Sequence, residues 1–498
     1  MMFAIIWTFT IAWSLALNPV DELQASVVVQ LSQKLLNSLS QMLAELIQTT
    51  LLNLRFPDLE TEKMNITNVT FTKLDWLNVQ LILEQSEGIN ALLEMGVGEL
   101  NGLYEFDLGL FSSQGRVRLL LVNLTMNAML TKITPTTLTI GRCSSRLEDV
   151  RLFFSDKSWY GTLLNSARFA IEAVMVANFG KLACDMAINA THYTRTYFDN
   201  TNTATTTDML KSTCSDSAPP KSWHNVLQMS GKVSNKFQLH VHLSDIGVHC
   251  GHHGLLIPFH VEVLYAGETV STNLGRPIRI SSDWQMVSVY ASEQIVNAFF
   301  EQIHRHQLDR YEITINSKML PSSLRAPFTL LCWGCELLML ANFDRPPDYT
   351  ITAEGSVLDL VVSIQLRLSN ILKRDKLLEA RSNIRVGVKY SFDRRMRLQT
   401  EITLQQVNVR ILKMPVKRVF GPMLQQFLEN QVRGNLWNLM LNQYRQFADL
   451  NQIELKPYCE IEFQNASLLT VDSAVMISTD IVFDHSTWVA KLQRLFNI

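Results

Sequence analysis

The sequence predicts an α+β protein in which one order of elements occurs twice. Three observations carry this. Apolar residues recur at three- and four-residue steps in four long stretches, alternating apolar and polar runs lie between them, and a polar, threonine-rich passage separates one helix–strands–helix set from the next. With 498 residues, 47% of them hydrophobic and 18% charged, the chain can fill two sizeable cores and is too apolar to stay disordered.

The opening residues, MMFAIIWTFTIAWSLA, carry no charge, and Ser14-Leu15-Ala16 offers the small residues a signal peptidase reads. A signal peptide at 1–16 and secretion are expected. The missing basic n-region leaves a membrane anchor as the alternative. Glycosylation tripeptides at Asn65, Asn68, Asn123, Asn189 and Asn465 fit the secretory route. Seven cysteines is an odd number, so at least one thiol lacks an intramolecular partner.

The first helix is expected over 25–54, with Val28, Leu31, Leu35, Leu39, Met42 and Leu46 on one stripe. Such a helix would run about 43 Å and implies an elongated domain. Strand-like runs follow, from NVTFTKLDWLNVQLILEQ to GRVRLLLVNLTMNAMLTKITPTTLTIGRC. Cys143 then opens the alternating segment CSSRLEDVRLFF. Cys184 closes a second helical stretch on which Leu164, Ile171 and Val174 share a face. A bridge between these cysteines would pin a helix to a sheet.

Past the linker NTNTATTTDMLKSTCSDSAPPKSW the order recurs. QMVSVYASEQIVNAFFEQIHRHQ reads as a first long helix; VLDLVVSIQLRLSN, NIRVGVKYSF and MRLQTEITLQQVNVRIL read as strands. VKRVFGPMLQQFLENQVRGNLWNLMLNQYRQF reads as a second helix. APFTLLCWGCELLMLANF approaches membrane-spanning length but carries Glu336, and a central carboxylate costs roughly 2.5–3.5 kcal/mol on insertion. It reads as two buried strands.

Net charge is −2, which gives no whole-chain case for nucleic acid. The balance is uneven: −5 over residues 17–230 and +3 over the remainder, much of it in KRDKLLEARSNIRVGVKYSFDRRMR and KMPVKR. These runs are either a solvated strand face or a surface for an anionic lipid or partner.

Taken in order, the signal, the first helix, the segment GRCSSRLEDVRLFFS, the cysteine-bearing second helix, MVSVYASEQIVNAFF and LNQIELKPYCEIEFQNASLLTVDSAVMISTDIVF resemble one family over nearly the whole mature chain. It is the family of bactericidal/permeability-increasing protein, lipopolysaccharide-binding protein and the plasma phospholipid and cholesteryl ester transfer proteins. The resemblance implies an elongated boomerang of two similar barrels, each a highly curved antiparallel sheet wrapping a long helix, joined by a central sheet. It also implies that Cys143 and Cys184 form the family's shared disulfide.

It further implies apolar grooves for acyl chains, which Val28, Leu31, Leu35, Leu39, Met42, Leu46, Leu164, Ile171 and Val174 would line or abut. Plain core packing is the competing reading of that stripe. The stretches RFPDLETEKMNIT and GELNGLYEFDLGLFSSQG, where bactericidal members carry Lys/Arg-rich tips, are acidic or neutral here. That argues against endotoxin binding through this tip. DHSTWVAKLQRLFNI is similar to a C-terminal amphipathic helix of the transfer proteins, with Trp488, Val489, Leu492, Leu495 and Phe496 on one face.

Other constellations are weaker. His240, His242, His249, His252, His253 and His260 gather near Cys250, but strand alternation and the CGHHG turn explain them without zinc, so no metal is expected. Cys332 and Cys335 have CxxC spacing inside a strand-like run, whereas redox motifs open a helix. No nucleophile elbow, P-loop or HExxH helix is present, so no enzyme and no cofactor are expected.

The expected organisation is a signal at 1–16, an N-terminal barrel at 17–215, a linker and central-sheet region at 216–240, a C-terminal barrel at 241–483 and a tail at 484–498. The expected function is secreted binding of phospholipid-like acyl ligands, with transient contact with a membrane or lipoprotein surface. The rival is an innate-immune binder of bacterial lipopolysaccharide.

Overall fold

The structure, a computed structural model, describes residues 22–484 and 487. Within that span it leaves out 54, 57–58, 61–63, 85–87, 108–111, 134–137, 156–161, 163–164, 167, 174, 178–179, 182, 186, 189–236, 245–248, 252, 273–274, 282–284, 317–319, 321, 324, 326–335, 370–373, 415–416, 451–454 and 456–460. The signal, most of the linker, Asn189, the Cys332–Cys335 pair and nearly all of the tail therefore lie outside the described residues.

Three consecutive β-branched residues, Val27-Val28-Val29, decide the first long element. They form strand β1 (Val27–Leu31), and helix α1 begins only at Gln33 and runs Gln33–Asn53, about 32 Å. The expectation of one continuous helix over 25–54 is corrected, and Val28 and Leu31 leave the helical stripe. The second half repeats the correction. There Val287–Ser292 is a strand, and the helix is confined to Glu293–Arg305, capped by the Ser292 hydroxyl accepting from the Gln294 amide.

The remaining elements, in chain order, begin with β2 (Met64–Leu74), β3 (Leu77–Glu84), β4 (Gly88–Asp107), β5 (Ser112–Ile133) and β6 (Leu138–Phe154). The described residues of 162–188 are helical and form α2. Next come β7 (Phe237–Leu243), β8 (His249–Gly251), β9 (Gly254–Tyr265), β10 (Glu268–Ser271), β11 (Val287–Ser292) and α3 (Glu293–Arg305). Then follow β12 (Tyr311–Ile315), β13 (Glu336–Phe343), β14 (Asp348–Thr352), β15 (Gly355–Ser369), β16 (Arg374–Phe392) and β17 (Leu398–Lys413). The chain closes with α4 (Lys417–Gln431), a π turn (Val432–Leu436), α5 (Trp437–Leu450), β18 (Ile461–Val471) and β19 (Ala474–Phe483).

Every strand pairing among these residues is antiparallel, and three large sheets result. The N-terminal sheet is β2-β4-β5-β6 with β3 on β4, and the C-terminal sheet is β12-β13-β15-β16-β17 with β14 on β15. The central sheet, β7-β9-β1-β11-β19-β18, draws strands from the start, middle and end of the chain. At its heart β1 and β11 pair about Val29 and Val289. The Ser32 amide donates to the Met286 carbonyl at 3.0 Å and the Ser292 amide to the Ser26 carbonyl at 2.8 Å. These reciprocal bonds tie the first strand of each half-chain to the other.

Helices seal the free sheet edges, which would otherwise template a foreign strand. On α1, Gln33 donates to the Leu81 carbonyl (2.6 Å) and accepts from the Leu83 amide (3.0 Å), while the Ser40 hydroxyl accepts from the Leu81 amide (2.9 Å). On α2, Glu172 accepts from the Leu152 amide (2.7 Å) and Asn165 exchanges bonds with the Phe154 backbone. The second half uses Asn297, which donates to the Tyr349 carbonyl (2.9 Å) and accepts its amide (2.8 Å). Each helix is thereby held against a sheet edge, with its apolar side turned to the sheet.

The N-terminal core joins Phe71, Met95, Tyr104, Leu121 and Leu152 to Leu51 of α1 and to Ile171, Met175 and Val176 of α2. In the C-terminal half Ile364, Leu366 and Val409 pack against Leu428, Val432 and Leu436. Helix α3 is apolar on two sides: Val296 and Phe300 join that core, while Ala298, Phe299 and Ile303 pack on Phe237, Val263 and Tyr265 of the central sheet.

Candidate functional site

Register across the N-terminal sheet lines up three successive rows on its helix-facing side. Leu77, Met95, Leu124 and Leu147 form the first, and all belong to the core. Val79, Leu93, Met126 and Ser145 form the second, and Leu81, Ala91, Ala128 and Cys143 the third. In these rows Met95, Leu147, Val79 and Ala128 are buried, whereas Leu77, Leu124, Leu93, Met126, Leu81 and Ala91 are only half-buried. The Ser40–Leu81 bond sets α1 over the same rows, where its Leu39, Leu43, Leu46 and Ile47 are also half-buried.

The sheet rows and the helix stripe are both largely apolar, yet neither is fully withdrawn from water. Each fully buried leucine contributes about 1.5–3 kcal/mol, so half-cover leaves a driving force that an apolar ligand would satisfy. Helix α2 is anchored to the sheet by the bridge Cys143–Cys184, whose Cα atoms are 5.7 Å apart. About one helical turn before Cys184, α2 approaches the sheet so closely that a Cβ on Gly180 would sit 2.8 Å from the Ser145 carbonyl oxygen. Ser145 Oγ in turn donates to the Gly180 carbonyl at 3.1 Å.

The residues expected to line the groove divide. Val28 is fully buried in the central-sheet core with Leu256, Ile278 and Tyr290, and Leu31 ends its strand. Leu35 and Met42 are buried core residues, whereas Leu39 and Leu46 are half-buried on α1. Ile171 packs on the N-terminal core; Leu164 and Val174 lie outside the described residues. Sequence reasoning missed Leu43, Ile47, Leu81, Leu93 and Met126. The strand members carried a usable signal, the odd-numbered alternation of Leu77, Val79, Leu81 and Leu83.

In the C-terminal half the Tyr349 and Tyr390 hydroxyls lie 2.5 Å apart. Burial pushes both phenols, and that of Tyr444, above the ordinary tyrosine range.

His240 and His242 share one face of β7, directly opposite Glu262 and His260 of β9. His242 Nε2 lies 3.7 Å from Glu262 Oε1, and the Ser244 hydroxyl bonds His260 at 3.1 Å. Among the described residues no three His, Cys, Asp or Glu side chains are arranged to hold a metal ion. Cys250, on β8, has its thiol pushed up by burial.

Three asparagines of the glycosylation tripeptides, Asn68, Asn123 and Asn465, have left-handed φ angles of 54°, 50° and 53° and exposed side chains. Asn65 is half-buried with an enclosed, unpartnered Oδ1. If the adjacent tripeptides at Asn65 and Asn68 are used, glycan is expected on Asn68. Enzymatic deglycosylation in heavy-oxygen water followed by peptide mass spectrometry reads this directly, and label on Asn65 instead would refute it.

These features define a class: an antiparallel, helix-sealed sheet protein with a partly covered apolar face in its N-terminal half. No family model matches the chain. It is similar to nose resistant to fluoxetine protein 5 of Caenorhabditis elegans, 23% identical over 213 residues, which is 43% of this chain and 38% of that protein. The chain thus spans well under half the length of this curated relative. Among solved structures, lipopolysaccharide binding protein has a TM-score of 0.49 at 14% identity, covering 92% of this chain and 99% of that one. P47 of Clostridium botulinum E1 has a TM-score of 0.30 at 11% identity over 92% and 99%, and Takeout 1 of Epiphyas postvittana 0.22 at 11% over 31% and 89%. The functional reading rests on the residues of the chain itself.

Proposed function

We propose that this protein is a secreted lipid carrier whose N-terminal groove shields the acyl chains of phospholipid-like ligands, which it transfers or presents at membrane or lipoprotein surfaces. The observation that carries this is that apolar residues of α1 (Leu39, Leu43, Ile47) and of the neighbouring sheet face (Leu81, Leu93, Met126) are only half-buried. An acyl chain gains about 0.8 kcal/mol per CH₂ on leaving water, and a bilayer supplies the same. A groove comparably apolar makes exchange with a membrane nearly balanced. Such exchange needs no catalytic residue.

The test is mass spectrometry of organic extracts of the purified secreted protein beside a mock purification. Roughly stoichiometric phospholipid or neutral lipid is expected in the parent. Leu43→Arg places an unpaired charge in the groove and should cut co-purifying lipid by about tenfold or more, with far-UV dichroism unchanged. A lipid-free parent would sink the carrier reading.

A further inference from the structure

Two basic runs on successive strands meet on one face of the C-terminal sheet. The start of β16 pairs antiparallel with the end of β17, so that Glu379 lies opposite Lys413, and with β15, so that Lys376 lies opposite Arg367. Arg381 lies directly opposite Arg410. Two like-charge pairs in direct cross-strand register oppose folding and have no structural use of their own.

The local carboxylates do not balance them. Glu379 is shared by Lys376 and Lys413, the latter at 3.6 Å, and Asp344 is taken by Arg381 at 2.6 Å. Arg410 is exposed and has no ion pair among the described residues, and the Arg367 Nε is buried without a partner. Five cations thus face two carboxylates.

The same end of the sheet is also apolar. A cavity of about 510 Å³ opens between Leu377, Leu412 and Met414, with Lys376, Glu379 and Lys413 at its polar side. Leu412 is 47% exposed. A cationic rim around an exposed leucine and an apolar recess fits a phosphate-bearing lipid headgroup with the first carbons of its chains; a fully hydrated polyanion would leave the recess unused.

We infer that this face docks the protein on anionic phospholipid membranes. The inference shares the lipid-handling reading above but concerns a different surface, in the other half of the chain. It accounts for the convergence of the two runs, which the whole-chain charge of −2 conceals.

The experiment is co-sedimentation of the full secreted chain with phosphatidylcholine vesicles, with and without phosphatidylserine. Binding is expected to the anionic vesicles only and to fall with added salt. Arg410→Gln with Lys413→Gln should weaken it about tenfold, whereas the equal charge loss in Lys73→Gln with Arg151→Gln, on the N-terminal sheet, should leave it unchanged. Equal binding to both vesicle types, insensitivity to the double substitution, or capture by heparin without vesicle binding would each overturn the inference. Lipid co-purifying with the Arg410/Lys413 variant is read in parallel. Its retention while docking fails separates the surface from the groove, and a parent that docks but carries no lipid refutes the carrier reading alone.

Discussion

Cys184→Ala is expected to destabilise the N-terminal half by about 4 kcal/mol, the chain-entropy value for a closed loop of 41 residues. For a unit of that size the melting temperature should drop by roughly 8–16 °C. The bridge joins α2 to β6 on the groove side of the sheet, where Gly180 and Ser145 already bring helix and strand into backbone contact. Losing it frees the C-terminal end of the helix, leaving Asn165 and Glu172, nearer its start, to hold it on the sheet edge. Cys143→Ala and the double substitution should each cost the same as the single change, because one covalent link is removed in all three. Differential scanning calorimetry of the three variants, and of the parent with reductant, checks this. A melting temperature unchanged in Cys184→Ala would rule out the bridge as a stabilising link.

Glu293→Ala is expected to cost about 3 kcal/mol, with Glu293→Gln recovering roughly half. This carboxylate opens α3, where the helix N-terminus favours negative charge. Its two oxygens accept from Arg276 at 2.9 and 3.1 Å, and one also accepts from the Ile351 amide at 2.6 Å. The side chain is only 9% exposed, while Arg276 is 55% exposed. Most of the loss therefore comes from the stranded Ile351 amide and the opened β14 edge; the guanidinium can turn to water. Urea unfolding of the two variants reads the difference. A cost below about 1 kcal/mol for the alanine would show that Asn297 alone seals this edge.

Much of the fold is legible in the chain. Strands β15, β16 and β17 follow their alternating runs, the helical reading of the second half's last long segment holds with one π turn inserted, and the cysteine-bearing helix lies where its periodicity puts it. Of the groove, Leu39 and Leu46 were recognisable from helical spacing. The alternation through Leu81 was readable, but its grouping with Leu93 and Met126 was not, because that depends on the register of three strands.

The sequence by itself determined the duplicated order of long helices and strand runs and the placement of both bridge cysteines. These depend on side-chain periodicity that operates within a few residues. Only the tertiary structure decided that Val27–Leu31 and Val287–Ser292 are strands, since each run is extended by pairing with the other, about 260 residues away in the chain. The register of β15, β16 and β17 gathers their arginines and lysines on one face, and packing leaves part of the N-terminal sheet half-covered. Sequence-local preference cannot encode either, because both follow from which strand lies alongside and in what register.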